Sequence, residues 1–134
     1  MDFLRKRAQE RLKRHIRSNY QRVVPKAGTG LFNKACFYNA VEVAKRDNSE
    51  VWEVFLIEDN YPILHYINAK DGEFVDNTLG HRTEIRTNEY YLVRQIAECD
   101  FYYIDTEFTR SCDYWTDRFL RPIWRRLFRI GRIC

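Results

Sequence analysis

The chain of 134 residues is poor in the residues that punctuate or staple a fold, with 5 Gly, 3 Pro, 1 Met and 4 Cys. So little glycine and proline excludes a collagenous or low-complexity protein, and the hydrophobic content of 45% excludes a disordered one. No window approaches 18 consecutive apolar residues, so no membrane-spanning helix is expected. The opening residues Met1-Asp2-Phe3-Leu4-Arg5-Lys6-Arg7 lack the apolar stretch of a signal peptide, which argues for a cytoplasmic setting. In that reducing compartment Cys36, Cys99, Cys112 and Cys134, which contain no C-x-x-C pair, are expected to stay free thiols. His15, His65 and His81 are the only histidines and none stands at zinc-site spacing from a cysteine pair, so neither a metal nor a cofactor is expected. With Cys134 as the last residue, no prenylation box is expected.

What is abundant is aromatic surface, 16% of the chain, and charge of unevenly distributed sign. Residues 1–22 carry 8 Lys/Arg against 2 acids, residues 110–134 carry 7 Arg against 2 acids, and the middle carries 8 basic against 15 acidic residues. Two basic ends therefore flank an acidic body, and the chain divides into a basic amphipathic helix (1–22), a core domain (23–109) and a basic aromatic helix (110–134).

Phe3, Leu4, Ala8, Leu12 and Ile16 at helical spacing predict the first helix, ended by Pro25 and Gly28-Thr29-Gly30. Asn33 reads as the N-cap of a second helix whose inward face is Phe37, Ala40, Val41 and Ala44. Strands are expected at 51–58, 62–68 and 73–77, the last two joined by a turn at Lys70-Asp71-Gly72, and a short one at 83–86. Residues 88–98 are expected to be helical, 100–106 a strand, and the end of the chain a helix from about Tyr114, kinked at Pro122. The class is α+β, a helix carrying Cys36 packed on a small, mostly antiparallel sheet.

Cys36 falls in the first turn of its helix, where free N–H groups and the macrodipole favour a thiolate, the form in which sulfur is a nucleophile. His65 lies within an apolar strand. If Asp71-Gly72 is a two-residue turn, Lys70 pairs with Glu73, and Asp76 stands opposite Ile67 as the diagonal neighbour of His65. A one-residue bulge beside the glycine would promote Asn77 instead. Nucleophile, base and orienting carboxylate thus follow one another as Cys36, His65 and Asp76.

That order resembles the papain-like cysteine peptidases in their compact, transglutaminase-like form. Residues 33–40 (NKACFYNA) are similar to the cysteine motif of small bacterial and phage members. Leu64-His65-Tyr66-Ile67, followed by Gly72-Glu73-Phe74-Val75-Asp76-Asn77-Thr78, is similar to their histidine and aspartate segment. The resemblance covers about residues 30–105. It implies a papain-like core and a hydrolase or acyltransferase acting on an amide bond of a peptide, of peptidoglycan or of an isopeptide. The catalytic residues would be Cys36, His65 and Asp76, with Asn33 or Asn77 in the oxyanion or orienting role. In a phage-encoded protein the location would be the virion.

In the basic ends, Trp115, Phe119, Leu120, Ile123, Trp124, Leu127 and Phe128 recur at helical spacing with arginines between them. Arg118, Arg121, Arg125, Arg126 and Arg129 are the candidate binding residues, and the partner is left open between protein subunits, an anionic membrane surface and nucleic acid. The second functional class is therefore a non-catalytic assembly protein, such as a phage virion component, that uses the same body as a scaffold. His15 is expected on the solvated surface.

Overall fold

A computed structural model describes residues 2–31 and 35–134. Helix α1 spans Asp2–Asn19, followed by the short strands β1 (Arg22–Val23) and β2 (Lys26–Ala27) and by helix α2 (Cys36–Asp47). Strands β3 (Glu50–Glu58), β4 (Tyr61–Lys70), β5 (Glu73–Asp76) and β6 (Glu89–Ile96) precede helices α3 (Ile104–Phe119) and α4 (Pro122–Phe128). The class is α+β: four helices and a curled mixed six-stranded sheet of order β1-β6-β3-β4-β5-β2, in which only β2 and β5 are parallel among the described strands.

Strand β3 is central and nearly continuous in apolar residues because both of its faces are covered. Two tight turns set the register on either side of β4. Asp59-Asn60 joins Glu58 to Tyr61, and Asp71-Gly72 joins Lys70 to Glu73; all four turn residues hold positive φ. This is the mirror-image turn whose twist matches that of the strands, and Asn, Asp and Gly tolerate it best. The expected pairing of Lys70 with Glu73 is therefore present, without a bulge.

Residue alternation gives the sheet two different faces. Val51, Glu53, Phe55, Leu64, Tyr66 and Asn68 share one, by register. Helix α2 lays Ala40, Val41 and Ala44 against Val51 and Tyr66 on that face, while Leu12 and Ile16 of α1 and Trp115 of α3 pack with Phe55 and Leu64. On the other face Val54, Leu56, Ile67 and Tyr90 gather with Val23 and Leu79.

Three expected elements are corrected. Residues 88–98 contain β6, not a helix: Tyr90, Tyr91 and Val93 are strand formers, and the waiting edge of β3 pairs with β6, skipping Val93 at a bulge beside Glu53/Val54. Residues 100–106 are not a strand. A 3-10 turn over 98–103 leads directly into α3, which begins ten residues before the expected start and buries Ile104, Cys112, Trp115 and Thr116 at helical spacing. Residues 80–84 form a 3-10 turn in place of the short strand at 83–86. The expected kink at Pro122 is a full break, with Leu120 extended and Pro122 opening α4. His15 is half-buried against Tyr20, Trp115 and Phe119 rather than solvated.

Candidate functional site

Asp76 ends β5 and is fully buried, with every lone-pair direction engaged. Its Oδ1 accepts the backbone N–H of Thr78 at 2.9 Å and of Leu79 at 3.0 Å. Its Oδ2 accepts from His65 Nε2 at 2.7 Å and from the Tyr90 hydroxyl at 2.7 Å. Burial alone would raise the pKa of this carboxyl, but the bond and charge of His65, the Leu79 amide and the Tyr90 hydroxyl together hold it below its ordinary value. The carboxylate is a fixed anion aimed at one imidazole nitrogen.

His65 is buried too, and burial pulls its pKa down. The Asp76 carboxylate, and Cys36 on the other side, outweigh that and raise it to about 10. Cys36 therefore stands near enough to the ring to act on its protonation. Since Nε2 is taken by Asp76, Nδ1 is the nitrogen left for the thiol. Carboxylate and thiol thus act on the same imidazole.

The meeting of Cys36 with His65 depends on the sheet edge. His65 alternates to the Val54–Ile67 face, whereas α2 packs on the opposite one. β5, however, accompanies β4 only from Asn68 to Lys70. After Asp76 the chain turns, and Thr78 Oγ1 accepts from Asn39 Nδ2 of α2 at 3.0 Å. The first turn of α2 therefore stands at the free edge of β4, beside the histidine. Asn68 secures the helix further along, donating to Ala40 O at 2.8 Å.

Cys36 is half-exposed and is the first residue of α2. The cap is Ala35, with no side-chain capping bond, instead of the expected Asn33. The first helical bond is Asn39 N–H to Ala35 O at 3.0 Å, so the N–H groups of Cys36, Phe37 and Tyr38 have no acceptor within the helix. They point their dipoles out beside the sulfur, where an oxyanion would form. Asn33 lies outside the described residues. Asn77 is not brought to the imidazole: its Nδ2 donates to Asn68 Oδ1 at 2.8 Å and its Oδ1 accepts the Thr29 N–H at 3.2 Å, so it ties the loop before α2 to β4.

Tyr90, Asn39 and Asn68 are site residues that sequence reasoning missed. Tyr90 was hidden by the helical reading of 88–98; read as a strand paired to β3, it falls on the face of His65. The pKa of its phenol is raised by burial and then by the Asp76 charge, so it stays a proton donor. The amides of Asn39 and Asn68 carry no spacing signal, because their partners, Thr78 for Asn39 and Ala40 and Asn77 for Asn68, lie in other elements.

The arginines fall into two groups. Arg118 sits over the Trp115 and Phe119 rings, and Arg125 pairs with Asp113 and Asp117. Arg121, Arg126 and Arg129 are exposed and make no ion pair among the described residues. Among the described residues no group of three or more His, Cys, Asp or Glu is arranged to hold a metal, and no helix is long and apolar enough to cross a membrane. No protein-family model, curated protein or solved structure matches the chain.

Proposed function

We propose that the protein is a thiol hydrolase or acyltransferase of papain-like, transglutaminase-like type, with Cys36 as nucleophile, His65 as general acid and base, and Asp76 as the orienting carboxylate. One observation carries this reading: a buried imidazole is held at 2.7 Å by a carboxylate, and a half-buried cysteine at a helix start acts on the same ring. A structural histidine has no need of a thiol at a helix start, and a structural cysteine has no need of a buried ion pair.

The chemistry follows from the positions. The Cys36 sulfur, its proton held on His65 Nδ1, attacks the carbonyl carbon of an amide. A C–S bond forms as the carbonyl π electrons move to oxygen, beside the unpaired N–H groups that open α2. The tetrahedral intermediate collapses, the C–N bond breaks, and His65 gives its proton to the departing amine. Water, or an acceptor amine, then attacks the thioester with His65 as base, and Cys36 is released. Asp76 keeps the ring in one orientation throughout and is itself fixed by Tyr90 and two amides. The substrate class is an acyl group in amide linkage, in a peptide, peptidoglycan or an isopeptide.

The test uses p-nitrophenyl acetate as acyl donor with the full chain and intact-protein mass spectrometry. The expected result is a single acetyl group on Cys36 that forms and turns over, is absent from Cys36→Ala, and forms about a hundredfold more slowly in His65→Ala. Acetylation shared with Cys99, or a Cys36 rate indifferent to His65→Ala, overturns the proposal. A Cys36→Ala protein that keeps full biological activity favours the scaffold role for the same body.

A further inference from the structure

The short helix α4 presents aliphatic side chains to solvent while one of its arginines, Arg125, faces inward. Ile123 and Leu127, one turn apart, are each 66% exposed. Trp124 is 41% exposed and stacked on Phe128 at 5.6 Å between centroids. Arg125 instead turns to the body and binds Asp113 and Asp117 of α3.

This arrangement is held from both ends. Leu120 is buried just before the helix, and beyond it Ile133 is 1% exposed, its N–H donating to Thr116 Oγ1 at 3.2 Å and its carbonyl accepting from Gln9 Nε2 at 3.0 Å. The outward aliphatic face is therefore fixed by the fold. Around it, Arg121, Arg126 and Arg129 carry uncompensated charge, and a groove leading from Trp124 to α1 is lined by Leu4, Ala8, Arg7 and Arg11.

We infer that this face docks on an anionic lipid bilayer, with Ile123, Trp124 and Leu127 entering the interface and the free arginines meeting phosphate headgroups. Exposed aliphatic side chains between arginines match a surface that is apolar below and anionic above. Nucleic acid fits less well, since Ile123 and Leu127 offer no ring for bases to stack on. A second copy related by a two-fold axis would bring Arg121, Arg126 and Arg129 against their like.

The full chain is mixed with vesicles of phosphatidylcholine alone, or with phosphatidylglycerol added, and binding is read by co-sedimentation and tryptophan emission. The expected result is sedimentation with anionic vesicles only, weakened by salt, with a blue shift that Trp124→Phe removes. The double variant Ile123→Ser/Leu127→Ser is expected to weaken binding about tenfold or more, since two aliphatic side chains no longer leave water. Arg126→Gln/Arg129→Gln, whose side chains are exposed, is expected to weaken it severalfold in proportion to the charge removed. No sedimentation overturns the inference. So does equal retention on duplex DNA that ignores the Ile123→Ser/Leu127→Ser change, which would assign the arginines to nucleic acid. A concentration-dependent dimer that the same change dissolves would assign the face to a second copy and overturn it as well.

Discussion

At the scale of single residues, the imidazole of His65 links stability to chemistry. Its folded pKa, about 10, stands above its ordinary value of 6.5, so its contribution to stability is complete below 6.5 and is lost as pH rises from there through about 10. Asp76 is displaced downward from 3.8, so its contribution is present above 3.8 and is lost as pH falls through its depressed folded value. Urea denaturation across pH is expected to give a stability difference between wild type and Asp76→Asn that is largest between about pH 4 and 6.5 and shrinks toward pH 10. On the proposed mechanism turnover needs the imidazolium as acid, and is expected to fall as pH rises through about 10. Asp76→Asn should also lower the Cys36 acylation rate by about a hundredfold or more, because an amide that donates to Nε2 presents the wrong tautomer to sulfur. Tyr90→Phe deletes one of four bonds to the buried carboxylate. A cost of about 1–3 kcal/mol in urea denaturation is expected, with a smaller drop in rate than Asp76→Asn. Cys112 and Cys134 provide the contrast: the contact with Cys112, and then burial, push the Cys134 thiol up, so iodoacetamide should label Cys36 and the exposed Cys99 well before it labels Cys134.

At the scale of elements, the site is where three pieces of chain are tied together by amides. Asn39 binds α2 to Thr78, Asn68 binds β4 to Ala40 of α2, and Asn77 binds Asn68 to the loop at Thr29. Asn68→Ala is expected to slow Cys36 acylation severalfold while leaving the 2.7 Å contact of His65 with Asp76 in place, since it loosens the helix and not the strand pair. A histidine NMR signal unchanged beside a slower thiol would report that split. These elements were unequally legible from residues alone. The β4–β5 hairpin could be read because Asp-Gly between apolar runs admits few turns, and with it the register that sets Asp76 against His65. Residues 88–98 could not, because Tyr91, Val93 and Ile96 suit either period and only the open edge of β3 decides for a strand. Residues 100–106 failed for the opposite reason: a β-like composition was overruled by Ile104, Phe108, Cys112 and Trp115, whose packing on the sheet requires a helix.

At the scale of the molecule, the curled sheet brings its two edge strands, β1 and β2, close in sequence. The closure depends on Gly28, whose N–H reaches Asp76 O at 2.9 Å and whose Cβ, if present, would stand 2.8 Å from Val75 Cγ1 and collide with the Asn77 amide. Gly28→Ala is therefore expected to lower the melting temperature and to slow acylation, since the displaced β2 adjoins the orienting aspartate. The basic ends share the main core instead of hanging free of it. Leu12, Ile16, Trp115 and Ile133 form one cluster with Phe55 and Leu64. Ile133→Ala should cost about 2–5 kcal/mol by thermal denaturation, as for a fully buried aliphatic residue in any core.

The sequence by itself determined the α+β class, the place of Cys36 in the first turn of its helix, the tight turn at Asp71-Gly72 and hence the His65–Asp76 pairing, because each rests on neighbours in the chain or on a two-residue turn. The tertiary structure alone decided that β5 stops where it does, leaving an edge at which a helix on one face meets an imidazole on the other. It alone decided that Tyr90 completes the carboxylate's shell and that α4 turns its aliphatic side outward. Those depend on which surfaces remain free once distant segments have packed, and no local pattern encodes that.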